Sequence, residues 1–184
     1  MSTSTIGARW DDEYRHGRYQ DEARLRGLDL SGEAIRQLIE RRPGQSLPVA
    51  VADFRSYEGE RPFAYLVAIQ VFQHGHDDDA ACYFTRAAAA LRSGGLFFLR
   101  VNSSATQVYH RNTVLERNTF GGFTVRYDAG PKAGLPVHFY SRDELLARAR
   151  DAFELVMEPR HEVIHRAPPQ TGSWAQWEVI WRKT

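Results

Sequence analysis

Cysteine is almost missing from this 184-residue sequence: Cys82 stands alone, so no internal disulfide can form. A lone thiol suits a reducing compartment. Lysine is scarce too, at Lys132 and Lys183, and the remaining cations are arginines scattered along the whole chain. With 24 basic and 23 acidic side chains the net charge is +1. No basic cluster offers footing for a phosphate backbone, so nucleic-acid binding is not expected. Long apolar runs are absent as well. The longest, Phe63 to Phe72, falls far short of the ~20 residues that span a bilayer. The first ten residues contain no apolar stretch of the signal-peptide kind. The expectation is a cytoplasmic protein without a membrane segment.

What is present reads as an ordinary globular chain, 42% hydrophobic and 26% charged, long enough for one domain with a real core. Residues 1–9 read as a loose tail. Trp10 to Leu25 forms a charged helix carrying an aromatic stripe at Trp10, Tyr14 and Tyr19. GLDLS is a strand ending near Asp29, and Ser31 caps a helix from Gly32 to Arg42, which Pro43-Gly44 stops. Its apolar Ala34, Ile35, Leu38 and Ile39 share one face. Pro48 to Phe54 is the next strand. The near-continuous apolar run Phe63–Phe72 predicts a parallel strand covered on both faces. Asp77, Asp78 and Asp79 open a helix through Leu91, where negative charge suits the N-terminal dipole. Ser93-Gly94-Gly95 ends it before a buried strand, LFFLRV.

Residues 103–140 are polar and turn-rich, an inserted excursion or hairpin. Ser141 caps another helix, with Glu144 at the capping-box position. Two long strands, 153–166 and 174–183, close the chain and pair antiparallel. Helices alternating with buried strands make an α/β fold.

That order of pieces resembles the class I S-adenosylmethionine-dependent methyltransferases. The features are GLDLS, the ADF after the next strand, an apolar strand running into QVFQH, and LRSGG before LFFLRV. The likeness covers roughly residues 10–184. It implies a three-layer Rossmann-like sheet, mostly parallel with an antiparallel C-terminal strand pair, in a single domain spanning 1–184. Residues 1–25 would be an N-terminal tail followed by a lid-like helix. It implies S-adenosylmethionine as cofactor and a small-molecule or other acceptor of its methyl group. Asp29, with Leu30 and Ser31 behind it, is placed to accept from the ribose hydroxyls. Asp53 and Phe54 are placed at the adenine, as acceptor and apolar wall. Gln70 and Val71 stand at the carboxyl end of their strand, where open α/β sheets bind ligands. His74 is the nearest base for an acceptor that must lose a proton, and Asn102 is placed to touch the acceptor.

The family's strongest signal is a first strand running into a GxGxG loop, and the sequence lacks it. Only Gly7, Gly17 and Gly27 precede Asp29, and no apolar strand comes before GLDLS. A βαβ unit takes about 30 residues, so the segment missing between Arg26 and Gly27 is on the order of 20–30. In the family that strand stands mid-sheet, between the GLDLS and FAYLVAIQVF strands. Its loss leaves FAYLVAIQVF needing a new neighbour: the GLDLS strand closes up against it, another chain (an oligomeric or other partner) covers it, or the protein is poorly stable and aggregates through the exposed edge. The alternative to an enzyme is therefore a non-catalytic, partner-binding module or an internally deleted remnant.

Two local motifs invite metal readings. His161–His165 matches HExxH, but Pro159 and Pro168-Pro169 bracket it and Val163 and Ile164 favour a strand. On a strand the two histidines stand about 13 Å apart, too far to share one zinc. HGHDDD at 74–79 reads as a loop feeding an acid-capped helix. No metal is expected.

Overall fold

Gly27 begins the first strand, β1 (Gly27–Asp29), because its neighbour is close: an added Cβ would lie 2.9 Å from Val49 Cγ1. β1 pairs in parallel with β2 (Val49–Val51). Between them runs α1 (Gly32–Glu40), whose N-cap Ser31 accepts from the Ala34 amide at 3.1 Å. The computed structural model describes residues 26–59 and 62–184. The 10–25 lid-like helix and the 1–9 tail lie outside them. By their contacts the described residues fall into two compact units, one ending at Asp53 and the other Phe54–Thr184.

In the first unit no residue of α1 is buried, and Leu38 and Ile39 of its apolar stripe are exposed. The stripe expected from the sequence is there, and no residue of it is buried.

The second unit holds a four-stranded sheet in the order β3-β4-β9-β8. β3 (Phe63–Ile69) pairs in parallel with β4 (Leu91–Asn102), and β9 (Ser173–Lys183) runs antiparallel to β4 and to β8 (Phe153–His165). The predicted closing strand pair is thus present. α2 (Asp77–Ala90) buries Ala80, Tyr83, Phe84 and Ala87, one stripe at helical spacing, against one face of the sheet. That core is aromatic: Phe84 meets Phe97 at 5.9 Å and Trp181 at 5.7 Å, both edge-on.

Two expectations change here. Ser93-Gly94-Gly95 does not separate helix from strand but lies inside β4, as a bulge. Phe63 faces Leu91 while Tyr65 already faces Leu96, and Gly94 supplies the positive φ of +77 that the bulge needs. β3 is not covered on both faces. It is an edge strand, with Tyr65, Val67 and Ile69 exposed at 66%, 61% and 53%, because among the described residues only β4 pairs with it.

Residues 103–140 form an antiparallel sheet, β5 (Asn112–Arg117), β6 (Phe123–Tyr127) and β7 (Pro136–Phe139). The chain leaves and returns at one place, where Ser103 bridges Tyr140. α3 (Arg142–Ala149) follows, capped by Ser141, whose Oγ accepts from the Glu144 amide at 3.0 Å. The reciprocal half of a capping box is not made, because the Glu144 carboxylate turns inward and is fully buried. Among the described residues no helix is long and apolar enough to cross a membrane.

Candidate functional site

The carboxyl ends of the strands carry the residues singled out from sequence. In the first unit Asp29 ends β1, exposed, with Oδ1 accepting from the Ser31 amide at 2.7 Å. No other hydrogen bond to its carboxylate forms among the described residues, so a second oxygen is available to a hydroxyl donor. Leu30 beside it is 60% exposed, and Ser31 is spent on capping α1. Asp53 follows β2 and is half-buried.

In the second unit Phe54 opens a short 3-10 turn and stacks on Phe72 at 5.2 Å, so its ring is engaged with the core. Gln70 closes β3 with φ +59, the one non-glycine positive φ among the described residues. Such strain persists where the surroundings over-determine it. They do here. Asn102 N–H donates to Gln73 Oε1 at 2.8 Å, Gln73 Nε2 to Gln70 Oε1 at 2.7 Å, and Gln70 Nε2 to Gln176 Oε1 at 3.2 Å. Gln176 Nε2 then donates to the Glu162 carboxylate. A backbone N–H can only donate and a carboxylate only accept, so both ends fix the direction of every amide between them. Gln73 and Gln176 are 2% and 4% exposed, which removes competing water.

Val71 is exposed beyond this relay. His74 is exposed, its backbone bridged to Val137 and its carbonyl accepting from Tyr83 Oη at 3.0 Å. Asn102 belongs to the same edge, through its backbone. Gln70, Val71, His74 and Asn102 are therefore brought together in the second unit. Asp29, Leu30, Ser31 and Asp53 belong to the first. Gln73, Gln176 and Glu162 escape sequence reasoning; the one signal was a polar Gln-x-x-Gln closing an apolar run.

Solved structures resemble the chain as a whole. A methyltransferase from Clostridium acetobutylicum, described as S-adenosylmethionine-dependent, superposes with a TM-score of 0.55 at 13% identity, over 85% of this chain and 74% of its own. One from Methanosarcina mazei gives 0.60 at 17% identity, over 86% and 81%. The 1,6-didemethyltoxoflavin-N1-methyltransferase of Burkholderia thailandensis, solved with 1,6-didemethyltoxoflavin and S-adenosylhomocysteine, gives 0.56 at 18%, over 88% and 61%. This is the fold of the S-adenosylmethionine-dependent methyltransferases. No protein-family model matches the sequence, and no curated protein matches it.

Within this methyltransferase fold the densest polar chemistry lies away from the strand tips. His138, 1% exposed, meets Thr124 Oγ1 through Nδ1 and Glu144 Oε1 through Nε2, both at 2.8 Å. Arg148 donates to Glu144 Oε1 at 2.7 Å and to Asp77 Oδ1 at 2.6 Å, and Asn118 Nδ2 reaches Asp77 Oδ1 at 2.8 Å. Ligand atoms of Asp77, His138 and Glu144 lie within 4.8 Å of one another. One oxygen of each carboxylate, Glu144 Oε1 and Asp77 Oδ1, is already held by the Arg148 guanidinium. The cluster is an ion-pair anchor, joining the inserted sheet to the first turn of α2 and to α3.

Glu144 Oε2 takes no hydrogen bond, and a Cβ on Gly122 would fall 1.8 Å from it. Gly122→Ala is expected to cost about 2 kcal/mol of stability by overpacking, read from urea unfolding. An unchanged midpoint would mean that the β5–β6 turn yields freely.

HEVIH lies on β8 as a strand. His161 stacks on Trp177 at 4.3 Å and its Nε2 meets Ser103 Oγ at 2.9 Å. Elemental analysis of protein prepared without chelator is expected to find no zinc. One equivalent, lost in His161→Ala, would contradict the strand geometry.

Proposed function

We propose that this protein binds S-adenosylmethionine at the carboxyl ends of its strands and serves methyl transfer to an acceptor. The observation that carries the reading is Gln70. A left-handed backbone fixed by a one-directional amide relay, at the edge where open α/β sheets bind ligands, is strain of the kind kept at functional sites. Support comes also from relatives in fold that were solved with S-adenosylhomocysteine.

The residues fit the nucleoside end of the cofactor. In the first unit Asp29 has an oxygen for a ribose hydroxyl, Asp53 is assigned to the adenine amino group, and Leu30 offers apolar surface. When bound, the cofactor supplies a methyl group activated on a sulfonium. Gln70 and Asn102 orient ligand at the edge of the second unit, and His74, open to solvent, takes the proton of an acceptor hydroxyl or amine. For the amino-acid end the sequence provides no glycine loop, so binding is weaker than micromolar.

Calorimetric titration with S-adenosylhomocysteine tests this reading. Saturable binding weaker than micromolar is the expected result. No binding at millimolar ligand would remove the cofactor assignment. Micromolar or tighter binding would mean that another segment does the loop's work. The outer edge of β3, which no strand among the described residues pairs, favours a second reading, a methyltransferase-like module that acts by binding a partner.

A further inference from the structure

The two edges of the four-stranded sheet differ in a way that bears on association. β8 is guarded: Glu154, Glu158, Arg160 and Glu162 line it, Pro159 interrupts it, and its register breaks between Leu155 and Met157 and again before Arg160. Charge, proline and bulges are the devices by which natural sheets blunt an edge. β3 has none of them. Phe63 to Ile69 carries no charge, no proline and no glycine, and is regular from Tyr65 onward.

The backbone of β3 is half-used. Gln70 N–H donates to the Arg100 carbonyl, so by strand alternation Leu66, Ala68 and Gln70 turn their backbone groups toward β4. Tyr65, Val67 and Ile69 turn theirs outward, where no described strand receives them. The same three residues expose apolar side chains.

We propose that two copies of this chain join edge to edge through β3, antiparallel about a two-fold axis at Val67, merging their four-stranded sheets into one. The sequence of β3 is self-complementary about that point. Val67 faces its own copy, and Tyr65 faces Ile69 of the second copy on both sides of the axis, an aromatic against a β-branched residue. Each outward N–H and C=O of the three residues finds a partner. With no charge on the strand, symmetry brings no like charges together, and a two-fold contact closes on itself rather than propagating. The other edge, being blunted, does not compete.

The experiment is sedimentation equilibrium of the full chain from micromolar to hundreds of micromolar, with amide exchange by NMR. The expected species is a concentration-dependent dimer in which the Val67 and Ile69 amides gain protection as protein concentration rises. Val67→Lys sets two like charges on the axis, at a site exposed enough to leave the monomer fold intact, as near-ultraviolet circular dichroism would check. It should raise the dimer dissociation constant about tenfold or more. Val156→Lys, on β8, should not. A monomer at every concentration, species larger than a dimer, or a dimer indifferent to Val67→Lys would each overturn the proposal. Should Val67→Lys fail to fold, the exchange pattern of the wild-type chain decides alone: protection of Val67 and Ile69 that does not depend on concentration overturns it.

Discussion

Replacing Glu144 with alanine lowers the stability of the protein by about 3 kcal/mol, the scale of removing one partner from a buried ion pair. The reason is what stays behind. His138 loses the acceptor of its Nε2, and Arg148, only 12% exposed at its side chain, keeps Asp77 alone as counter-ion. Urea unfolding at neutral pH reads the effect, and a loss below about 1 kcal/mol would show that the cluster is incidental to stability.

The same cluster sets an acid response. Burial pushes the Glu144 carboxyl up, but His138, Arg148 and Asn118 outweigh it and hold it below the ordinary glutamate range. Burial likewise raises Asp77, and Asn118 and Arg148 more than reverse it. Both groups therefore bind protons more weakly folded than unfolded. Their stabilisation is complete above the ordinary carboxylate values, near about 4, and drains away as pH falls through the lowered folded values. Glu144→Ala should flatten that part of the acid slope.

The second large effect concerns the cofactor. If Asp29 and Asp53 hold ribose and adenine, losing either charged acceptor costs about 1.5–3 kcal/mol, or about 10- to 150-fold in affinity for S-adenosylhomocysteine. Ligand-observed NMR suits the weak range in which the wild-type chain is expected. Affinity unchanged in both Asp29→Ala and Asp53→Ala would withdraw the assignment while leaving the fold untouched.

Local chemistry was legible before the structure. Ser31 and Ser141 cap the helices their positions suggest, the three aspartates open α2, and the two C-terminal strands pair antiparallel. Depth was not legible. The run Phe63–Phe72 carries the pattern of a strand covered on both faces, yet its burial depends on a neighbour that pairs from elsewhere in the chain or not at all. Glu144 shows the same limit. Its spacing from Ser141 announces a capping box, but His138 and Arg148 compete for the carboxylate, and only tertiary placement decides between them. At the candidate site the sequence marks Gln70 as the end of an apolar run. The relay that constrains it draws on Gln176 and Glu162, more than a hundred and nearly a hundred positions away, a distance at which no spacing rule speaks.

The contact between Ser103 and Tyr140 makes the inserted sheet interchangeable in principle. The chain departs and re-enters side by side, with the Ser104 amide on the Tyr140 carbonyl and the Tyr140 amide on that of Asn102. Segments with adjacent ends are the ones that insertion and exchange tolerate best. A graft of a different loop between Ser104 and Phe139 would leave β4, β8 and β9 in register. It would also take away His138 and strand Glu144 and Arg148 without their third partner, so any transplanted piece must bring its own donor for that carboxylate.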